Sequence, residues 1–217
     1  MKKIVFFVCL FILLLASCGN TDDSESLNKI LINNGVSEDK INYKYKVDNV
    51  LYYASSKCKS DSYEIYLEND YDKRYIYDKN KNELFYNNEF VEKKSFESIN
   101  DFSIYSINLK YNNVEIISFY DFIPFLIDAL DNKTDFKRGR SRQEIGGNAY
   151  YYSFKVKEKL LKNSKCYDKF LKFANNFTEN VDLDIEVVFI GSVKNNFVSG
   201  ASLSIRLGEV EYFNIQL

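Results

Sequence analysis

The feature that most constrains this chain is a two-residue hydrophobic rhythm that returns along most of its length. Val181, Leu183, Ile185, Val187 and Phe189 alternate with Asp182, Asp184, Glu186 and Val188. Successive side chains of an extended chain point to opposite faces, so this alternation builds a strand with one buried and one wet face. Tyr43, Tyr45 and Val47 alternate in the same way with Lys44 and Lys46. YEIYL (63–67), RYIYD (74–78) and ELFY (83–86) are short β-branched or aromatic runs between Asn, Asp and Lys clusters, which also predicts strands. The KNKN cluster at 79–82 and Asn87-Asn88 predict hairpin turns, because Asn tolerates positive φ. Residues 103–109 and 114–119 read as a further hairpin around Asn112-Asn113. After Gly191, residues 198–207 and 210–217 complete a meander. Leu203, Ile205 and Leu207 share one face of it, as do Phe213, Ile215 and Leu217.

A few segments break the rhythm. Residues 26–34 predict a short helix with Leu27, Ile30 and Leu31 on one face, stopped by Asn33-Asn34-Gly35. DFIPFLIDAL (121–130) predicts a helix capped by Asp121, with Pro124 in the first turn where its missing N–H costs little. It is apolar nearly all round, so burial on more than one side is expected. Residues 136–142 read as an edge strand or a loop, 145–148 as a turn and 149–156 as a strand. Ser164 is expected to cap a helix running to Phe177, with Tyr167, Phe170, Leu171, Ala174 and Phe177 as its apolar stripe. The resulting expectation is an α+β fold, mostly antiparallel β. A curved, half-barrel-like sheet would carry two or three helices against its concave face, in a single domain over residues 27–217.

Composition removes several chemistries. The chain has no His, which excludes Ser–His–Asp and Cys–His catalysis and any His-ligated metal site. There is no G-x-S-x-G motif, no phosphate-cradling glycine loop and no D-x-D-x-D-G calcium loop. A net charge of −2 gives no footprint for nucleic acid. Paired carboxylates remain as a route to hydrolysis, but among 31 acidic residues any pair is unremarkable. No enzyme activity, cofactor or metal is expected. The sharpest local feature is KRGRSR, where Lys137, Arg138, Arg140 and Arg142 cluster within an acidic protein. It reads either as a site for anionic groups or as a charged strand edge that blocks aggregation. The 18 Tyr suit an interaction surface, but they accompany abundant Lys, Asn, Ile and Phe, which points to base composition as much as to function.

The first eighteen residues give an address. Lys2 and Lys3 precede an unbroken apolar run from Ile4 to Leu15, which is too short for the roughly 20 residues of a spanning helix. It suits the apolar core of a secretory signal. The run ends Leu15-Ala16-Ser17-Cys18-Gly19. This resembles the bacterial lipoprotein signal, the lipobox, in which an aliphatic residue and two small residues precede an acylated Cys. The resemblance implies removal of residues 1–17, acylation of Cys18 and attachment to a membrane through acyl chains on the extracytoplasmic side of the cell envelope. Each buried methylene adds about 0.8 kcal/mol, so two or three chains hold firmly. Either the outer membrane or the outer face of the cytoplasmic membrane fits. Residues 18–26 then form the acylated Cys and a polar, acidic tether. Cys9 leaves with the leader and Cys18 is acylated. Cys58 and Cys166 remain, in polar surroundings, as partners for a disulfide or as two free thiols.

The order of elements, from RYIYDKNKNELFYNNEF through the apolar helix to the closing DIEVVFI and VEYFNIQL, resembles half-barrel lipoprotein carriers and related lipid-binding lipoproteins. That resemblance implies an apolar groove for acyl chains between sheet and helices. Phe122, Phe125, Leu126 and Leu130 of the apolar helix are the candidates to line it. The expected function is non-enzymatic binding of a lipid or other amphiphile. The competing expectations are a surface adhesin or interaction module that engages an extracellular or envelope protein and, more remotely, a carboxylate-based hydrolase.

Overall fold

The computed structural model describes residues 27–29, 31, 39–68, 70–131, 134–140, 150–155, 158–177, 184–192 and 197–217. The leader, Cys18 and the tether lie outside them, as do Ile30, Arg142 and the turn expected at 145–148. The chain adopts an α+β fold of mostly antiparallel strands. Among the described residues the strands form sheets of seven, three and two strands.

The first sheet has seven strands: β1 (Lys40–Val47), β2 (Val50–Cys58), β3 (Ser62–Leu67), β4 (Arg74–Asp78), β5 (Glu83–Tyr86), β6 (Glu89–Lys93) and β7 (Glu115–Ser118). Their spatial order is β6-β5-β4-β3-β2-β1-β7, and every pair is antiparallel. Asp48-Asn49 and Asn87-Asn88 take positive φ in consecutive pairs, and Asn82 does so at the end of the KNKN turn. That backbone twist lets two-residue hairpins join right-twisted strands. Alternate side chains Ile41, Tyr43, Tyr45, Ala54, Ile65, Leu67, Tyr75, Tyr77 and Leu84 turn to one face and form the first core.

A helix covers that face where a strand was expected. Residues 103–109 belong to α1 (Ile99–Tyr111), and Asn112 closes this helix in the left-handed conformation instead of turning a hairpin. The β-branched and aromatic residues Ile104, Tyr105 and Ile107 imitate a strand, yet the buried set is Ile99, Phe102, Ser103, Ser106 and Ile107, which follows the helical period. Two buried serines fit because their hydroxyls donate back to the carbonyls of Ile99 and Phe102, at 2.7 and 2.8 Å. Ser98 caps the helix by accepting from the Asp101 N–H at 3.1 Å. Because β6 and β7 are opposite edges, the connection through α1 crosses the whole sheet. Six strand spacings are about 29 Å, of which a 13-residue helix covers about 20 Å.

A 3₁₀ turn (Phe119–Phe122) and α2 (Ile123–Asp131) follow. Asp121 caps this turn rather than the helix, its carboxylate accepting from the Ser118 N–H at 2.7 Å. The hairpin β8 (Thr134–Arg140) and β9 (Tyr150–Lys155) comes next, then α3 (Glu158–Lys162) and α4 (Tyr167–Phe173). Ser164 does not cap α4. Its hydroxyl donates to the Leu161 carbonyl at 2.6 Å and closes α3, while Cys166 occupies the N-cap position. The buried residues of α4 are Phe170 and Phe173, and Leu171 is exposed.

The chain ends in the meander β10 (Asp184–Ser192), β11 (Phe197–Leu207) and β12 (Val210–Gln216), with β9 running alongside β10. Its start at residues 181–183 lies outside the described residues. Leu203 and Ile205 are buried, whereas Leu207, at the strand end beyond a register shift between Ile205 and Arg206, is exposed. Leu27, Leu31, Phe119, Phe122, α2, Phe154, Leu161, Phe170, Phe173 and the meander form a second core. The junction of the two halves runs along β1 and β7. Ile116 packs on the first core, Ile117 is buried in the second, and Tyr120 touches both.

Candidate functional site

At the junction the polar face of β1 meets β12 and a cleft of about 350 Å³ opens between them. Lys40, Asn42, Lys44 and Tyr53 line one wall, and Glu211, Asn214, Ile215 and Gln216 the other. The alternation of β1 sends Tyr43 and Tyr45 inward, and Asn42, Lys44 and Lys46 necessarily face the other way. Across the β1–β2 pair Lys44 stands opposite Tyr53.

Lys44 is the central group. Its ammonium lies 5.5 Å from the centre of the Tyr53 ring and 5.1 Å from that of Phe213. Both distances are within the range of a cation–π attraction. Burial pulls the Lys44 pKa below its ordinary value, and the nearby Glu211 carboxylate only partly restores it. Glu211 is itself held by the Arg206 guanidinium at 3.2 Å. Asn214 donates its amide to Ser204 Oγ at 2.6 Å, which fixes the orientation of that side chain in the wall. One strand position further, Lys46 reaches the Phe173 ring and the Lys172 carbonyl, and Lys172 pairs with Glu115 at 2.7 Å. The cleft thus has a partly desolvated cation at its wall. It offers amides, an aromatic ring and a carboxylate to a ligand.

A second polar system lies beneath α1. The rings of Tyr45, Tyr52 and Tyr111 form a triangle with centres 5.3 to 6.3 Å apart. The Tyr111 hydroxyl donates to Glu68, which also pairs with Lys73. Burial pushes the Tyr45 hydroxyl up to about 12. Burial and the Glu68 carboxylate raise Tyr111 further. On the opposite face of the sheet Glu64 is buried beside Lys59, at 2.6 Å, and the Tyr66 hydroxyl, at 2.8 Å. Both systems fix neighbouring elements and explain why polar residues sit at covered positions.

The residues singled out from the sequence fall in separate places. Phe122, Phe125, Leu126 and Leu130 are all buried in the second core, where Phe122 meets the Phe213 ring at 5.2 Å. Lys137, Arg138 and Arg140 lie on β8, opposite Ser153, Tyr152 and Tyr150 of β9. Cys58 and Cys166 are free thiols, so the disulfide alternative is not realised. Cys58 ends β2 at the rim of the first core, 3.4 Å from Lys79 Nζ, whereas Cys166 is buried in the second core against Ser164 Oγ at 3.1 Å. The polar flanks of Cys166 hid its burial, because they belong to the exposed sides of the α3–α4 turn.

The Lys44 cleft escaped the sequence reading because a lysine at a polar strand position reads as solvated. The cross-strand pairing that sets Tyr53 opposite Lys44 depends on the β1–β2 register, which neither strand pattern states alone. No protein-family model matches the chain, and no curated protein shows a significant match to it. Among the described residues no helix is long and apolar enough to cross a membrane.

Proposed function

We propose that the chain is a lipid-anchored protein of the bacterial cell envelope whose β-rich domain binds a ligand and does not transform it. The anchor rests on Leu15-Ala16-Ser17-Cys18 and the leader before it. The observation that supports binding is the cleft at the β1–β12 junction, with Lys44 half-buried between Tyr53 and Phe213. Its volume lies at the small end of the range for ligand sites, about 300–1,000 Å³. The wall chemistry favours a small polar ligand, or the polar head of an amphiphile, over an acyl chain. Apolar side chains of the kind that would hold an acyl chain, Phe122, Phe125, Leu126 and Leu130, are enclosed in the second core.

Two measurements test this reading. In a bacterial host, the mature N-terminal peptide should carry diacylglycerol on Cys18, and Cys18→Ser should abolish both processing and membrane partitioning. Normal maturation of the Ser variant with unchanged membrane attachment removes the anchor from the reading. Extraction of the purified, folded protein followed by mass spectrometry should release a compound that rebinds the stripped protein. An extract that holds only acyl lipid displaces the polar-ligand reading in favour of an apolar site.

A further inference from the structure

We propose that the β1–β12 cleft recognises an anionic group, a carboxylate or a phosphate, seated on the Lys44 ammonium. The inference rests on the binding reading above and narrows it to a ligand class. Three independent observations carry it.

First, Lys44 has donors to give and no acceptor. Among the described residues its ammonium makes no hydrogen bond and no ion pair, only the two ring contacts and a longer-range attraction to Glu211. An ammonium has three N–H donors and is strongly hydrated, and aromatic faces replace only part of that hydration. A lysine held in a covered position without an acceptor is therefore set to accept one from outside.

Second, the charge of the cleft is positive once its internal pairing is counted. Glu211 is the carboxylate in the wall, and Arg206 already binds it. Lys40 at the rim and Lys44 at the centre then leave the pocket cationic in a protein whose net charge is −2. A cationic recess in an acidic molecule focuses anions into it.

Third, the remaining wall suits the rest of a small anion-bearing molecule. Asn214 gives one amide N–H to Ser204, which leaves its other N–H and its carbonyl oxygen for a ligand's polar groups. Tyr53, which is partly exposed, offers a ring face beside Lys44. Asn42 and Gln216 close the two walls with amides. A ligand would carry one anionic group and a short polar body, and a cleft of about 350 Å³ holds little more.

The experiment uses the full lipidated protein in non-ionic detergent and isothermal titration calorimetry. The probes are inorganic phosphate, acetate, glycerophosphoglycerol and, as the neutral arm, glucose. At least one anion should bind and glucose should not. Lys44→Met should weaken that anion about tenfold or more, as expected for loss of a charge-assisted contact. Lys44→Arg should retain binding, and Lys57→Met, on the same sheet face outside the cleft, should change it less than about twofold. Melting curves of these variants and of Lys44→Gln check folding, and the Gln variant keeps the test decisive if the Met variant unfolds. Preference for glycerophosphoglycerol over phosphate and acetate marks a lipid headgroup as the source, and the reverse marks a free anion. Anion binding that survives in a folded neutral variant of Lys44 (Met or Gln) overturns the proposal. So does a protein that ignores every anion but binds glucose or its own extracted neutral compound, and in that case the binding reading stands. A protein that binds no probe and yields no compound overturns both.

Discussion

Lys44 and Phe213 belong to different sheets, and the ammonium of one lies 5.1 Å from the ring centre of the other. Phe213 is buried against Phe122 and Phe170, with ring centres 5.2 and 5.7 Å away. The contact therefore ties the polar face of the first sheet to the middle of the second core. Phe213→Ala should cost about 3–5 kcal/mol, read as a lowered urea midpoint. It should also abolish ligand binding in the cleft, because the wall bearing Glu211 and Asn214 loses its support.

Lys44 should leave a signature in alkaline stability. Its folded pKa lies below the ordinary 10.5 because burial disfavours the charge. Between the two values the unfolded chain binds more protons than the folded one, so this group makes stability rise with pH up to about 10.5. Lys44→Met should be no less stable at pH 7 and should lose this increment. Denaturation series from pH 8 to 10 for both proteins measure the difference.

The buried tyrosines act in the opposite sense at higher pH. Burial raises Tyr45 and Tyr75 to about 12, against 10 when exposed. The folded state then holds their protons longer. Their contribution, on the order of 2 kcal/mol each, is complete below pH 10 and is lost as pH rises toward 12. Absorbance at 295 nm should show a class of phenols that ionise only as the protein unfolds. Tyr45→Phe should remove part of that class and flatten the alkaline decline.

Acid should attack both faces of the first sheet. Burial works against the Glu64 carboxylate, but hydrogen bonds from Lys59 and Tyr66 outweigh it and hold its pKa below the ordinary range. Hydrogen bonds from Lys73 and Tyr111 do the same for Glu68. Stability from both is present above about pH 4.5 and is lost as pH falls through the folded values. Glu64→Gln should destabilise the protein at pH 7 and much less at pH 3, as read by urea unfolding at each pH.

The two thiols should differ in reactivity. Cys58 is half-exposed and Cys166 is buried, with burial raising the Cys166 pKa. Ellman's reagent should modify Cys58 in the native protein and reach Cys166 only after denaturation. An intact mass showing two reduced thiols follows from the same geometry.

How much of this was legible follows from the range over which each signal acts. RYIYD, ELFY and the closing strands were readable because their alternation and their Asn turns are local, and β4 and β5 fall on the residues expected. The helix over 99–111 was hidden because Ser103 and Ser106 occupy buried positions where only hydrogen bonds to their own helix make a hydroxyl tolerable. The exposure of Leu207, at the end of β11 beyond a register shift, is not announced by its alternation. The Lys44 site was illegible for a different reason. Its lid comes from β12, far along the chain, and a single strand pattern cannot say what will cover its polar side.

The edge-to-edge passage of α1 has a consequence for biogenesis. β1 pairs with β2 at once, but its other edge is completed only by β7, after every hairpin of the first sheet and the whole of α1 have been made. Until then a row of backbone amides and carbonyls along β1 stands open to any neighbouring chain. The lysines that alternate along that strand give a nascent molecule its own electrostatic guard during that interval.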